Sequence, residues 1–180
     1  SLKSLIMIRK LKYLALLFLP LLSYGQQAAI MNTNMQIYAS LHGKPVAWAT
    51  TIVEIHLDKN TGAFEVLLIT DHLSLAMTNP DFVPTGENLG KVLSLRGTIP
   101  IYDVLNNNSN VMNMNIDLIA NFNNIDFPTN FAFSILRLNP NDRKGFSVMV
   151  KGSLSISKLN ITNLEGFDDE LGISLSFTGI

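Results

Sequence analysis

Apolar and polar residues alternate one by one along most of this chain, and that period of two limits what it can fold into. In Ser147 to Ser157, one side carries Val148, Val150, Gly152, Leu154 and Ile156. The other carries Ser147, Met149, Lys151, Ser153, Ser155 and Ser157. Successive side chains of a strand point to opposite faces, so this segment reads as a strand with one dry and one wet face. Ile173, Leu175 and Phe177 against Ser174, Ser176 and Thr178 repeat the pattern. Met112, Met114, Ile116, Leu118 and Ala120 do the same against Val111, Asn113, Asn115, Asp117 and Ile119.

Turn chemistry separates the runs. Asp58-Lys59-Asn60-Thr61-Gly62 lies between two of them and reads as a hairpin, since Asn and Gly tolerate positive φ. Asn139 to Gly145 plays the same part, and Asn106 to Asn110 reads as a surface loop. Strand-like runs are expected at 34–41, 46–57, 63–70, 91–101, 111–121, 131–138, 146–157 and 171–178. The stretches Ser74 to Gly90 and Leu159 to Glu170 are irregular, each able to hold a short helix or to rim an opening. Apart from the leader, no run of 12 or more residues has the spacing of an amphipathic helix. The expected fold is all-β, with about eight antiparallel strands closed into a barrel or stacked as a sandwich, both of which manage exposed strand edges.

Met7 to Gly25 reads as a secretory signal peptide behind a six-residue upstream extension. Arg9, Lys10 and Lys12 precede an apolar run from Tyr13 to Leu22, and Ser23 and Gly25 supply the small residues of a cleavage site. The run is short for a bilayer span, which needs roughly 20 apolar residues, so cleavage is expected rather than anchoring. Residues 26–180 would then form a single domain, free in the periplasm or secreted from a bacterium. Export of the leader removes four basic residues and no acidic ones, leaving a net charge of −5 from the 13 basic and 14 acidic residues of the chain. That balance disfavours nucleic acid, whose phosphates call for a clustered basic face. The chain has no cysteine, which excludes disulfides, thiolate nucleophiles and lipoprotein acylation.

The residues that could carry chemistry do not assemble into a motif. His42, His56 and His72 lack the spacing of a zinc site. Asp71 and His72 are adjacent, but neighbours in a strand face opposite ways and cannot orient one another as a triad does. No serine lies in Gly-x-Ser-x-Gly. Asp168-Asp169-Glu170 lacks the spacing of a calcium loop and reads as a solvated acidic turn. Gly86 to Gly90 lacks the Lys-Ser/Thr pair of a phosphate loop. Neither an enzymatic activity, nor a cofactor, nor a metal is expected.

The apolar inventory says more. Trp48, Phe131, Phe133, Phe146 and Phe177 join Met112, Met114 and Met149 on strand-like segments, and methionine adapts to irregular apolar shapes. Such residues either fill a core or wall a space, and the interior of an eight-stranded barrel allows both.

Phe127-Pro128-Thr129-Asn130-Phe131-Ala132-Phe133-Ser134, followed after a turn by Gly145-Phe146-Ser147-Val148-Met149-Val150-Lys151-Gly152-Ser153-Leu154-Ser155-Ile156, resembles the central part of the YceI-like family. Leu57-Asp58 with Thr61-Gly62-x-Phe64, and on to His72 and Phe82, resembles the portion before it. The family's early His-Ser pair is absent from Asn32 to His42, and Lys158-Leu159-Asn160 stands where its Gly-Val-Thr turn would be. The resemblance implies an exported, lipocalin-like antiparallel β-barrel that holds a long isoprenoid chain in an apolar interior. On that footing the ligand is an apolar lipid or isoprenoid, with Trp48, Met112, Met114, Phe131 and Phe133 as the ligand-binding residues. The alternative is a solidly packed structural or adhesive β-domain whose partners meet its loops. The leader reading makes its own prediction: exported protein should have the intact mass of a chain starting at or near Gln26, and a mass retaining Tyr13 to Leu22 would show an anchor instead.

Overall fold

The structure, a computed structural model, describes residues 26–77, 90–106, 110–139, 142–160 and 165–180, with only the backbone described at 142–144. The expected leader and residues 78–89, 107–109, 140–141 and 161–164, which include parts of the stretches read as irregular and of the two asparagine-rich connections, lie outside the described residues. Ten strands form one antiparallel sheet. They are β1 (Ile30–Leu41), β2 (Lys44–Thr50), β3 (Glu54–Leu57), β4 (Ala63–Ile69), β5 (Ser74–Met77), β6 (Val92–Thr98), β7 (Val111–Phe122), β8 (Ile125–Asn139), β9 (Asp142–Ser155) and β10 (Glu170–Gly179). Among the described residues two short α-helices interrupt them, α1 (Ile101–Asn106) and α2 (Ile156–Leu159). No helix among the described residues is long and apolar enough to cross a membrane.

The sheet order is β3-β4-β6-β7-β8-β9-β10-β1-β2-β5. Its first strand, β3, follows in the chain from β2, the last strand but one in that order, so one bent run lies near both ends of the sheet and curls it into a lipocalin-like barrel. The run breaks at Thr51 to Val53, where the Thr50 hydroxyl accepts the Ile52 N–H at 3.0 Å. This local bond competes with the ladder. Residues ahead of β1 complete the circuit: Ala28 N–H donates to the Leu57 carbonyl at 2.8 Å and Lys59 N–H to the Gln26 carbonyl at 2.9 Å. Taking β2 and β3 as one stave, the ring has the eight staves expected. β5 is an extra strand on β2, within a stretch read as irregular.

Other expected boundaries move for identifiable reasons. The run expected at 91–101 stops at Thr98, because Pro100 has no N–H for a ladder and α1 begins behind it. The run expected at 146–157 stops at Ser155, where the Asp169 carboxylate takes the Ser157 N–H and the Ser155 hydroxyl, each at 2.7 Å, and starts α2. These bonds, the Ser155 hydroxyl first, hold the Asp169 carboxyl below the usual carboxylate range. β8 begins six residues earlier than the expected 131 and runs through Pro128. The β8–β9 ladder starts at Ala132, so the missing N–H costs no bond there. β1 starts at Ile30 rather than 34, across a bulge between Met31 and Asn34. Asn32 has φ 54°, and its amide donates to the Thr178 hydroxyl at 3.2 Å. The extra residue keeps both Ile30 and Met35 toward the interior.

Two tight turns lie outside the usual Asn-Gly signature. His42-Gly43 joins β1 to β2, and Asn123-Asn124 joins β7 to β8, with positive φ at all four residues. That is the requirement of the hairpin turn whose twist matches the strands. Asp58 closes the expected β3–β4 hairpin by accepting the N–H groups of Thr61 at 2.9 Å and Asn60 at 2.8 Å. Both bonds hold its carboxyl below the usual range.

The dry faces meet inside. Phe131, Phe146 and Leu175 are fully buried, and among the described residues Thr50 is the buried polar residue. The rings of Phe64, Phe133 and Phe177, from β4, β8 and β10, meet across the lumen. The first pair is edge-to-face at 5.6 Å and Phe64 stacks on Phe177 at 6.1 Å. Burying each such side chain stabilises the fold by about 1.5–3 kcal/mol. The Phe131 ring occupies the space above Gly152, where a β-carbon would stand 2.4 Å from it. Helix α1 covers one end of the barrel with Ile101 and Val104, and α2 covers the other with Ile156 and Leu159.

Two predictions follow from the alternation and from this close approach. Val150→Asp and Leu154→Asp should unfold the protein, since each would bury an unpaired carboxylate, whereas Ser153→Asp on the wet face should shift the thermal midpoint little. Ser155→Asp differs from its neighbour, because the new carboxylate would face Asp169. Equal damage from Val150→Asp and Ser153→Asp in thermal melts would refute the facing. Gly152→Ala should cost about 1–3 kcal/mol by overpacking against Phe131. Combining it with Phe131→Leu should cost less than the two changes summed, and strict additivity in a denaturant double-mutant cycle would count against the contact.

Candidate functional site

The five residues expected to bind ligand belong to one apolar cluster. Phe131 and Phe133 are within it, and Trp48, Met112 and Met114 pack against it, half-buried. Strand register explains the grouping. Met114 lies opposite Phe133, Ile116 opposite Phe131 and Met112 opposite Ile135 across β7 and β8. Directly opposed residues share a face, so all six side chains point inward. Trp48 lies opposite Ile37 on β1 and Leu75 on β5, which places it inward from another part of the ring.

Met112 and Met114 are only half-buried because the wall opens beside them. The β6–β7 ladder stops at Gly97 opposite Leu118, while β7 continues to Val111. Along that seam runs a groove of about 880 Å³. Gly97, Thr98 and Pro100 form one side, and the edge of β7 from Met114 to Ile119 forms the other. Its outer rim is polar: Asn130 donates to the Asp117 carboxylate at 2.7 Å, and Arg96 pairs with Asp126. A second groove of about 610 Å³ crosses the outside of β7, β8 and β9 over Ala132, between Asn115 and Lys151. Phe131 and Phe133 are buried in the packed aromatic interior described above.

The titratable residues remain dispersed. His42 occupies the β1–β2 turn. His56 is exposed on β3 and lies 2.7 Å from Glu54. His72 sits in a short turn at Thr70–His72, and its neighbour Asp71 accepts the Gly90 N–H. No group of three potential metal ligands occurs among the described residues. Of the acidic triplet, Asp169 is committed to α2.

One inward residue escapes a reading that looks only for apolar side chains. Arg137 continues the odd-numbered face of β8 after Phe131, Phe133 and Ile135 and lies opposite buried Phe146. Its Nη2 donates to the carbonyls of Leu105 at 2.8 Å and Val104 at 3.4 Å, beneath α1. The alternation itself carried this signal.

No protein-family model matches the chain. No curated protein matches it either. Among solved structures, it is similar to a polyisoprenoid binding domain from Saccharophagus degradans implicated in plant cell wall breakdown. That match has a TM-score of 0.64 and 6% identity, covering 85% of this chain and 96% of that one. It is also similar to BcnA from Burkholderia cenocepacia, with a TM-score of 0.57 and 9% identity over 82% of this chain and 96% of that one. The resemblance to the YceI-like family is therefore one of architecture, and this chain has the lipocalin-like barrel fold of those two proteins.

Proposed function

We propose that this chain is an exported, non-catalytic binding protein whose barrel shelters an apolar long-chain lipid of isoprenoid or acyl type. The seam between β6 and β7 carries the reading, because it leaves inward-facing Met112 and Met114 partly exposed beside the fully buried Phe131 and Phe133. An apolar chain entering there meets the two methionines first, then the Phe131 and Phe133 face of β8, with Trp48 on the opposing wall. Methionine suits such a threshold, since its unbranched thioether follows irregular apolar surfaces. Each methylene removed from water contributes about 0.8 kcal/mol, so the tail needs no specific polar partner. The fold shared with a polyisoprenoid binding domain supports the same reading. The contacts of Phe131 with Gly152 and of Phe64 with Phe133 and Phe177 favour the second reading, a solidly packed structural domain.

Displacement of an environment-sensitive apolar dye by a long-chain isoprenol separates the two. Wild-type protein should bind at micromolar concentrations, and Met114→Trp, which narrows the seam, should weaken uptake at least fivefold while the thermal midpoint stays within a few degrees. Native mass spectrometry should show retained lipid. If no long-chain isoprenol or acyl lipid binds the wild type, the packed-domain reading stands.

A further inference from the structure

We propose that the α1 end of the barrel docks on the surface of an anionic lipid bilayer, so that the seam opens toward the membrane that holds the ligand; this rests on the lipid-binding reading above. Apolar side chains crowd the outside of that end. Val111 on β7 and Leu136 on β8 are direct register partners, and both are exposed on the outer face. Leu138 and Ile180 are exposed too and flank Gly145, where a β-carbon would stand 3.5 Å from the first and 3.9 Å from the second. With no side chain from Gly145 between them, the two form one surface. On α1 itself Tyr102 is 68% exposed, while Ile101 and Val104 are buried against the barrel. A ring with a hydroxyl at its edge suits the boundary between head groups and acyl chains. Single apolar residues are ordinary on a protein surface, whereas a cluster marks something the surface meets.

Two further observations identify the occupant as a bilayer. The rim is continuous with the seam: Pro100, immediately ahead of α1, lines the groove, and β7 leaves the ladder at Leu118 and runs past Met114 and Met112 to Val111 in the rim. A chain leaving a membrane at this end therefore meets the methionines without crossing water. Charge is also divided along the barrel. Arg143 and Lys144 stand with Asp142 at the start of β9, between Leu138 and Gly145 in the chain, whereas Glu165, Asp168, Asp169 and Glu170 gather with Lys158 at the α2 end. The field of an anionic leaflet decays over about 8 Å at physiological salt, much less than the length of a strand such as β7, so the nearer end determines the attraction. The α1 end is drawn to such a surface and the α2 end is turned away from it. Burial of the rim in the head-group region then adds to the electrostatic term, as it does for other peripheral apolar surfaces.

The chain has no cysteine, so Leu138→Cys and Val92→Cys can each carry one environment-sensitive fluorophore. Val92 is the control, an exposed residue paired with exposed Ile69 at the opposite ends of β6 and β4 from the rim. Vesicles of phosphatidylethanolamine and phosphatidylglycerol should raise the emission of the probe at 138 at least threefold and leave the probe at 92 nearly unchanged. In flotation assays wild-type protein should rise with these vesicles. Tyr102→Ser combined with Leu138→Ser should weaken that binding at least tenfold, and Ile69→Ser combined with Val92→Ser should leave it within twofold. Arg143→Glu combined with Lys144→Glu should weaken it at least fivefold while changing binding to phosphatidylcholine vesicles less than twofold. All of these variants should take up a long-chain isoprenol from solution within twofold of wild type, which separates docking from ligand binding. Wild-type protein that takes up the isoprenol but floats with no vesicle, or probes that respond equally at both ends, overturns the docking and leaves the lipid-binding reading standing. Charge reversal without effect on the anionic vesicles overturns the choice of an anionic surface. Failure to bind both vesicles and isoprenol overturns both readings.

Discussion

Closure of the hydrogen-bond ladder is the constraint on which the rest of this structure depends. A sheet of short strands has two edges with unpaired backbone groups; here they are β3 and β5, and β3 continues in the chain from β2, the neighbour of β5, so one bent run curls the sheet back on itself. The bend at Thr51 to Val53 lets that run pair with β1 along its first half and with β4 along its second. Residues 26–28 then bond to the end of β3 and close the ring at that level. Once the ring is closed, each of its eight staves presents its apolar side to the same enclosed space, while β5, the extra strand on β2, stays exposed. The bulge at Asn32 satisfies this demand locally, and the glycines at 152 and 179 satisfy it by giving Phe131 and Phe146 room.

Most staves are legible in the sequence because each buries one face and wets the other. Val148 to Leu154 and Ile173 to Phe177 show this without exception, so the alternation alone gives both strand and facing. Where a strand departs from that rule, the sequence gives less. β1 loses its alternation at the bulge, and β8 contains a proline that is harmless only because β9 pairs with the strand farther along. Neither circumstance is visible without the partner strand. The turns at His42-Gly43 and Asn123-Asn124 depend on left-handed backbone at residues that adopt it less readily than glycine, and only closure of the hairpin selects it. The helices escape notice because they are a turn or two long. α2 is capped by a carboxylate 12 residues away from Ser157 in the chain.

The candidate site is legible to a similar depth. Alternation places Met112, Met114, Phe131 and Phe133 on inner faces, and register brings them together, as the pairing of Met114 with Phe133 shows. What alternation cannot give is the early end of the β6–β7 ladder, which makes Met114 a wall residue at a seam while Phe131, opposite Ile116, is buried completely. Arg137 is the converse case. Its parity puts it inward, but a cation on an apolar face runs against the usual rule that charges stay in water, and the carbonyls at the end of α1 are among the groups that hold it there.

An apolar tail of about ten methylenes gains roughly 8 kcal/mol by leaving water. Association costs about 4–15 kcal/mol in lost motion and ordering, so such a tail binds weakly or not at all through burial alone. In this barrel the gain would be smaller still, because a tail beside Phe133 would replace ring contacts with Phe64 that the packed interior makes. A packed lumen is thus compatible with a carrier only if the tail is long or if a polar anchor adds to its burial. On the proposed reading, the seam between β6 and β7 has to admit a tail long enough for its burial to exceed the cost of association.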